Sequence, residues 1–261
     1  NAGIPVPPGF IVLANAFDRF VEETNLKEEI DARLGEVDPQ DTNSVDKAGN
    51  VLRDVIHDTS MPNDLAEEIL SAFDVLGAEY VAVRSSATAE DSEIASWAGE
   101  LDTFLNTTRE NVVERVKRCW SSLFTPRAIF YRHEKNLIDA HVSVAVVVQK
   151  MIQSEVAGVV FTVHPVTEDR DQMIIEAAYG LGEALVSGQV TPDSYIVSKS
   201  EMSIIDINIG AQTRKLVRSH QRDANEWVEL GEDGAKQKLT GRQIIELSEI
   251  CQKIEAHYGF P

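Results

Sequence analysis

Arg84, Ser85, Ser86, Asp102 and Thr103 are the residues of this chain whose types and spacing could do chemistry. Tyr80-Val81-Ala82-Val83 is a short apolar, β-branched run that reads as a buried strand. It breaks into an arginine and two hydroxyls, passes Gly99, and resumes as Asp102-Thr103-Phe104-Leu105-Asn106. A strand that ends in a planar fork of donors beside hydroxyls suits an anion, and a glycine lets backbone N–H groups approach its oxygens. The competing reading of the same residues is a polar turn in which Arg84 pairs with Glu90 or Asp91.

Other familiar chemistries are not assembled here. The six histidines, His57, His133, His141, His164, His220 and His257, lie without metal spacing. His164 is the one near the presumed site and reads as a loop residue beside Pro165. No Ser/His/Asp or Cys/His set and no Walker A phosphate loop can be found. Cys119 and Cys251 stand far apart in helical patterns, as reduced core thiols of a cytoplasmic protein would.

The elements that must position the site belong to a chain of 261 residues, enough for one large domain or two packed subdomains. Its 43% hydrophobic and 26% charged content is that of an ordinary soluble globular protein. No apolar run approaches the roughly 18 residues of a membrane span, and no signal peptide is visible. A formal net charge of −19 argues against non-specific nucleic-acid binding, because a phosphate backbone would be repelled. It leaves open a small anion such as ATP, whose phosphates need only a local basic site and Mg²⁺.

Gly3 to Leu13 surrounds a short strand with prolines, which fits an edge or leading strand. Residues 15–35 read as one helix with Phe17, Phe20 and Val21 on its apolar face. Helices over 44–58 and 63–74 follow, the second opened by Pro62. They make Val51, Leu52, Val55, Met61, Ile69, Leu70 and Phe73 core. Thr107-Thr108-Arg109-Glu110 has a capping-box pattern for a helix to about Ser121, and Thr125-Pro126 starts another through Arg132, with Arg127 in a structural ion pair. Val142 to Ile152 is a valine-rich central strand leading through Gln149-Lys150-Met151-Ile152 to a second strand at Ala157–Thr162. Met173–Ala177 forms another strand, which Tyr179-Gly180-Leu181-Gly182-Glu183 turns into a helix. Ile204–Ile209 alternates as an exposed strand, and residues 218–237 read as loop or meander. A second capping box at Thr240-Gly241-Arg242-Gln243 opens a helix with Ile244, Leu247, Ile250, Ile254 and Tyr258 on one face.

Several of these phrases are specific as well as periodic. AGIPVPPGF near the start, VRSSATAED, SWAGELDTFLN, SSLFTPRAIFYR and VQKMIQSEVAGVVFT resemble the nucleotide domain of the phosphoenolpyruvate synthases, pyruvate phosphate dikinases and rifampicin phosphotransferases. The resemblance is strong over residues 1–200 and weak over 240–261. It implies an α+β, ATP-grasp-like fold of two subdomains, with mixed or antiparallel sheets flanked by helices and a nucleotide cleft between them. Residues 1–140 would hold the phosphate-contacting loop and residues 141–261 the adenine hinge.

The resemblance further implies ATP and Mg²⁺ as cofactors, with Arg84 as the catalytic phosphate clamp. The Gly99 backbone and the Thr103 hydroxyl would close over the phosphates, with Asp102 setting that loop. Gln149 and the backbone of Lys150, Met151 and Ile152 would hold adenine. Glu183 would approach the ribose or hinge, or cap its helix. The implied activity makes phosphoenolpyruvate, AMP and phosphate from ATP, pyruvate and water, through a phosphohistidine on a swivelling domain and a separate substrate domain. The family's upstream lysine segment and downstream acidic metal-binding strand lie outside this sequence, so it reads as a piece cut from a longer chain, inactive alone. An antibiotic phosphotransferase, a dikinase, or a nucleotide-sensing module without chemistry are the alternatives.

Overall fold

The computed structural model describes residues 3–87, 102–135, 144–219 and 224–261. The chain divides into two compact units, one formed by Pro7–Met151 and the other by Ile152–Pro261 with the residues up to Val6. The division falls at Met151/Ile152 and not at 140/141, because the valine-rich strand after residue 140 pairs into the first unit.

The first unit is built on an antiparallel sheet in the order β1-β4-β2-β3, with β1 Gly9–Val12, β2 Val81–Ala87, β3 Thr103–Thr107 and β4 Val144–Lys150. β1 lies at the edge, where Pro7 and Pro8 before it cost no ladder bond. β4 is central, and its alternating Val144, Val146 and Val148 are fully buried. These meet Val81 and Val83 of β2 beneath α1 (Ala14–Glu23), α3 (Thr42–Asp58), α4 (Asn63–Leu76) and α5 (Val112–Ser121). Trp120 of α5 fills the centre, with the rings of Phe17 and Phe20 at 5.6 and 5.2 Å. Full burial of each such side chain is worth about 1.5–3 kcal/mol, so this face holds the unit together.

Leu52, Met61, Ile69 and Phe73 are buried as the apolar spacing requires, with Val55 and Leu70 packed against them. The region expected as one helix over 15–35 is two, α1 and α2 (Lys27–Gly35), because Asn25 takes a left-handed φ of 56° between them. Thr107 is the last residue of β3 and opens no capping box; α5 begins at Val112 after Asn111, whose side chain accepts from the Thr108 N–H at 2.7 Å. α6 (Pro126–Glu134) does start at Thr125, whose hydroxyl accepts from the Ala128 N–H.

The second unit is an antiparallel meander, β5 (Val156–Phe161), β6 (Gln172–Tyr179), β7 (Asp193–Ser198) and β8 (Ser203–Asn208). α8 (Gly241–Tyr258) covers one face, packing Ile244 and Cys251 onto Met173, Ile175, Tyr195 and Val197. The Thr240/Gln243 capping box is complete, although Tyr258 is 66% exposed and Ser248 and Cys251 are buried on the helix instead. Within residues 218–237, expected as loop or meander, lies the strand β10 (Asn225–Glu229), paired with β9 (Arg214–Arg218) as a two-stranded ribbon.

Candidate functional site

Alternation along the first unit's strands separates a covered face from an open one. The valines point to the helices, so the residues between them lie on the other side. One row of that side runs Ile11–Val147–Arg84–Thr103 across four strands, fixed by the pairs Ile11↔Val147, Arg84↔Val147 and Arg84↔Thr103. Arg84 and Thr103 are exposed, and Ile11 is 56% exposed. A guanidinium and a hydroxyl side by side on an apolar floor form a fitting cradle for phosphate oxygens.

The neighbouring row is Gly9–Gln149–Ala82. Gln149 is half-buried, and its amide donates to the Pro7 carbonyl at 3.2 Å. The Lys150 N–H donates to Pro8 at 2.8 Å and the Met151 N–H to Tyr80 at 3.0 Å. Three donors of the expected adenine segment are therefore engaged with protein carbonyls, leaving carbonyl oxygens and the main chain from Ile152 onward to meet a base edge. Lys150 and Ile152 are exposed. β4 and β5 belong to different sheets, so the segment joining them is no hairpin turn.

Asp102 enters through its main chain: its carbonyl accepts the Ser85 N–H and hydroxyl. Gly99, and the alternative Arg84 partners Glu90 and Asp91, lie outside the described residues.

In the second unit the glycine-rich turn is shaped by long-range contacts. Gly180 has φ +91° and bridges Leu216 of β9; a Cβ there would stand 2.4 Å from the Leu216 carbonyl oxygen. Gln212, 3% exposed, holds both main-chain groups of Tyr179: its Oε1 accepts from the N–H and its Nε2 donates to the carbonyl, each at 2.9 Å. Glu183 lies in the first turn of the short helix α7 (Gly182–Val186), where its carboxylate accepts from Asn225 Nδ2 at 2.7 Å. His164 organises its own loop, its Nδ1 accepting from the N–H groups of Val166 and Thr167 at 3.2 Å.

Two features escape a reading of periodicity alone. Asp193 and Lys238 form an ion pair at 2.8 Å with both side chains fully buried. The Asp193 carboxylate also accepts from the Tyr195 hydroxyl at 2.6 Å, the Gly210 N–H and the Lys238 N–H. Burial, then the Asp193 hydrogen bond, push the Tyr195 phenol well above its usual range. Ser85 is the other, half-buried one position past Arg84. Among the described residues no group of three or more His, Cys, Asp or Glu side chains could hold a metal, so none is assigned a magnesium site. No described helix is long and apolar enough to cross a membrane.

The family described as pyruvate phosphate dikinase, AMP/ATP-binding domain, matches residues 1–261. A probable phosphoenolpyruvate synthase of Methanocaldococcus jannaschii is 45% identical over 269 residues, covering 100% of this chain and 23% of the relative. One from Archaeoglobus fulgidus is 46% identical, covering 100% of the chain and 35% of the relative. The phosphoenolpyruvate synthase of Pyrococcus furiosus is 40% identical, again over 100% of the chain and 38% of the relative. The chain thus spans well under half the length of these relatives.

Proposed function

This chain belongs to the pyruvate phosphate dikinase AMP/ATP-binding domain family, of ATP-grasp type, and on that premise we propose that it is the ATP-binding part of a phosphoenolpyruvate synthase-like phosphotransferase. The whole-length match to phosphoenolpyruvate synthases of three archaea supports that parent over an antibiotic phosphotransferase. The single observation that carries the site is the cross-strand neighbourhood of Arg84 and Thr103 on the open sheet face.

Phosphoryl transfer asks a protein chiefly for placement and charge neutralisation. In this reading the Arg84 guanidinium meets the phosphate oxygens in a bidentate grip, which a lysine would not reproduce. The Thr103 hydroxyl donates beside it, and both are held by a central sheet whose other face is packed core. Since the Gln149 side chain and the Lys150 and Met151 amides are engaged, adenine is read by the remaining main-chain groups at Met151 and Ile152, with their side chains as apolar walls. Glu183 is a ribose candidate that would first release Asn225. Mg²⁺, when bound with ATP, would neutralise phosphate charge; no described residue is assigned as its ligand. On this reading a histidine on another domain of the parent takes the pyrophosphoryl group from ATP with AMP leaving, water releases the terminal phosphate, and the phosphoryl group retained on the histidine passes to the enol oxygen of pyruvate.

The test is calorimetric titration of Mg·ATP into the chain and into Arg84→Ala. Binding that weakens at least tenfold in the variant, the scale of losing a charge-assisted bidentate contact, supports the reading. Equal binding by the two sinks the assignment of phosphates to Arg84. ATP binding without phosphotransfer to a supplied histidine domain, in a chain extended to the relatives' full length, would favour a nucleotide-sensing role.

A further inference from the structure

We propose that Ser85 is a positioning residue for the phosphates, acting through the main-chain carbonyl of Asp102. The inference rests on the nucleotide reading above. Ser85 follows Arg84 and stands opposite Asp102, one position beyond the Arg84↔Thr103 pair. β2 continues from here to Ala87 along β4. Asp102 is the residue that leads directly into β3 and Thr103.

That carbonyl receives three donors. The Ser85 N–H reaches it at 3.3 Å, the Ser85 hydroxyl at 2.8 Å, and the Cys119 thiol of α5 at 3.9 Å. Burial, then the nearby Asp102, push the Cys119 thiol far up, so it remains a protonated donor. The hydroxyl bond is the shortest of the three. By alternation Ser85 shares the covered face with Val83, so its hydroxyl works from beneath the sheet and does not face the ligand. Fixing the Asp102 carbonyl fixes the plane of the peptide that enters Thr103, and with it the direction of the Thr103 N–H and side chain. Ser85 thereby sets the spacing between the Thr103 hydroxyl and the Arg84 guanidinium on the opposite face.

The experiment compares the chain with Ser85→Ala, Ser85→Thr and Arg84→Ala. It measures Mg·ATP affinity by calorimetry, amide exchange of residues 102–107, and melting temperature. The expected result is an affinity loss of about tenfold in Ser85→Ala, the scale of one lost hydrogen bond. Exchange should quicken at Thr103 and Phe104 only, and Ser85→Thr, which keeps the hydroxyl, should restore both. Unchanged affinity in Ser85→Ala beside a loss in Arg84→Ala overturns this inference and leaves the nucleotide reading standing. A loss of protection throughout β2 and β4 in Ser85→Ala also overturns it, since the hydroxyl would then serve folding alone. If wild type takes up no Mg·ATP, or neither Ser85→Ala nor Arg84→Ala differs from it, the nucleotide reading falls and this inference with it.

Discussion

The main-chain N–H of Asn106 donates to the thioether sulfur of Met151 at 3.3 Å. The contact ties β3, which carries Thr103, to Met151 just past the end of β4. It exists because β3 bulges: Val83 pairs with Phe104 and Val81 with Thr107, so Leu105 and Asn106 together oppose Ala82. Asn106 takes φ 52° to make that bulge, and its amide turns out of the ladder toward Met151. Asparagine tolerates this region and a β-branched residue does not. Asn106→Val should therefore cost about 1–2 kcal/mol more than Asn106→Gly in denaturant unfolding. Equal costs would show that the left-handed backbone is not what the position demands.

The buried pair Asp193–Lys238 gives a second prediction. Lys238 holds the segment after the β9–β10 ribbon against β7, donating to the Gly210 and Gly234 carbonyls as well as to Asp193. Asp193→Ala strands an ammonium in a site with no solvent exposure, so unfolding should lose about 3–5 kcal/mol. Asp193→Ala combined with Lys238→Met should recover most of that loss. A double variant as unstable as the single one would mean that the Tyr195 and Gly210 hydrogen bonds carry the cost.

His57 predicts a pH dependence. Its Nε2 lies 2.7 Å from the Ser121 hydroxyl, which itself donates to the Arg118 carbonyl, so the ring donates from Nε2. Partial burial first, then Arg118, Arg53 and Lys117 against an opposing Glu114, hold its pKa below the ordinary 6.5. The unfolded chain takes up the proton more readily, so this group's contribution is complete above about pH 6.5 and is lost as pH falls through the depressed folded-state value. Between pH 7 and 5 wild type should lose more stability than His57→Gln, which keeps a donor for Ser121. Parallel curves for the two would remove His57 as the source.

Charge gives the fourth. With 43 acidic against 24 basic residues the chain repels itself, while pairs such as Arg19–Asp64 and Arg109–Asp74 are exposed and individually weak. Raising salt from about 0.1 to 1 M shortens the screening length from about 10 to 3 Å. The melting temperature should rise, because relief of repulsion outweighs loss of the surface pairs. A fall would mean that the ion pairs dominate.

What the sequence determined by itself is what neighbours in the chain decide. The hydroxyls of Thr125 and Thr240 begin their helices because the N–H groups they accept lie three residues on. Prolines before Gly9 make an edge strand, and alternating valines from Val144 to Val148 make a central one. Long phrases such as VRSSATAED carried the family resemblance. Only the tertiary structure decided which strand lies beside which. Thr103 stands next to Arg84, and the Gln149 amide is taken up by Pro7, through a register that a period of two leaves free. The same holds for Lys238, an apparently ordinary surface lysine that is buried against Asp193. Each depends on a partner distant in sequence, where the cost of a buried charge or an unpaired amide is settled by packing and not by local propensity.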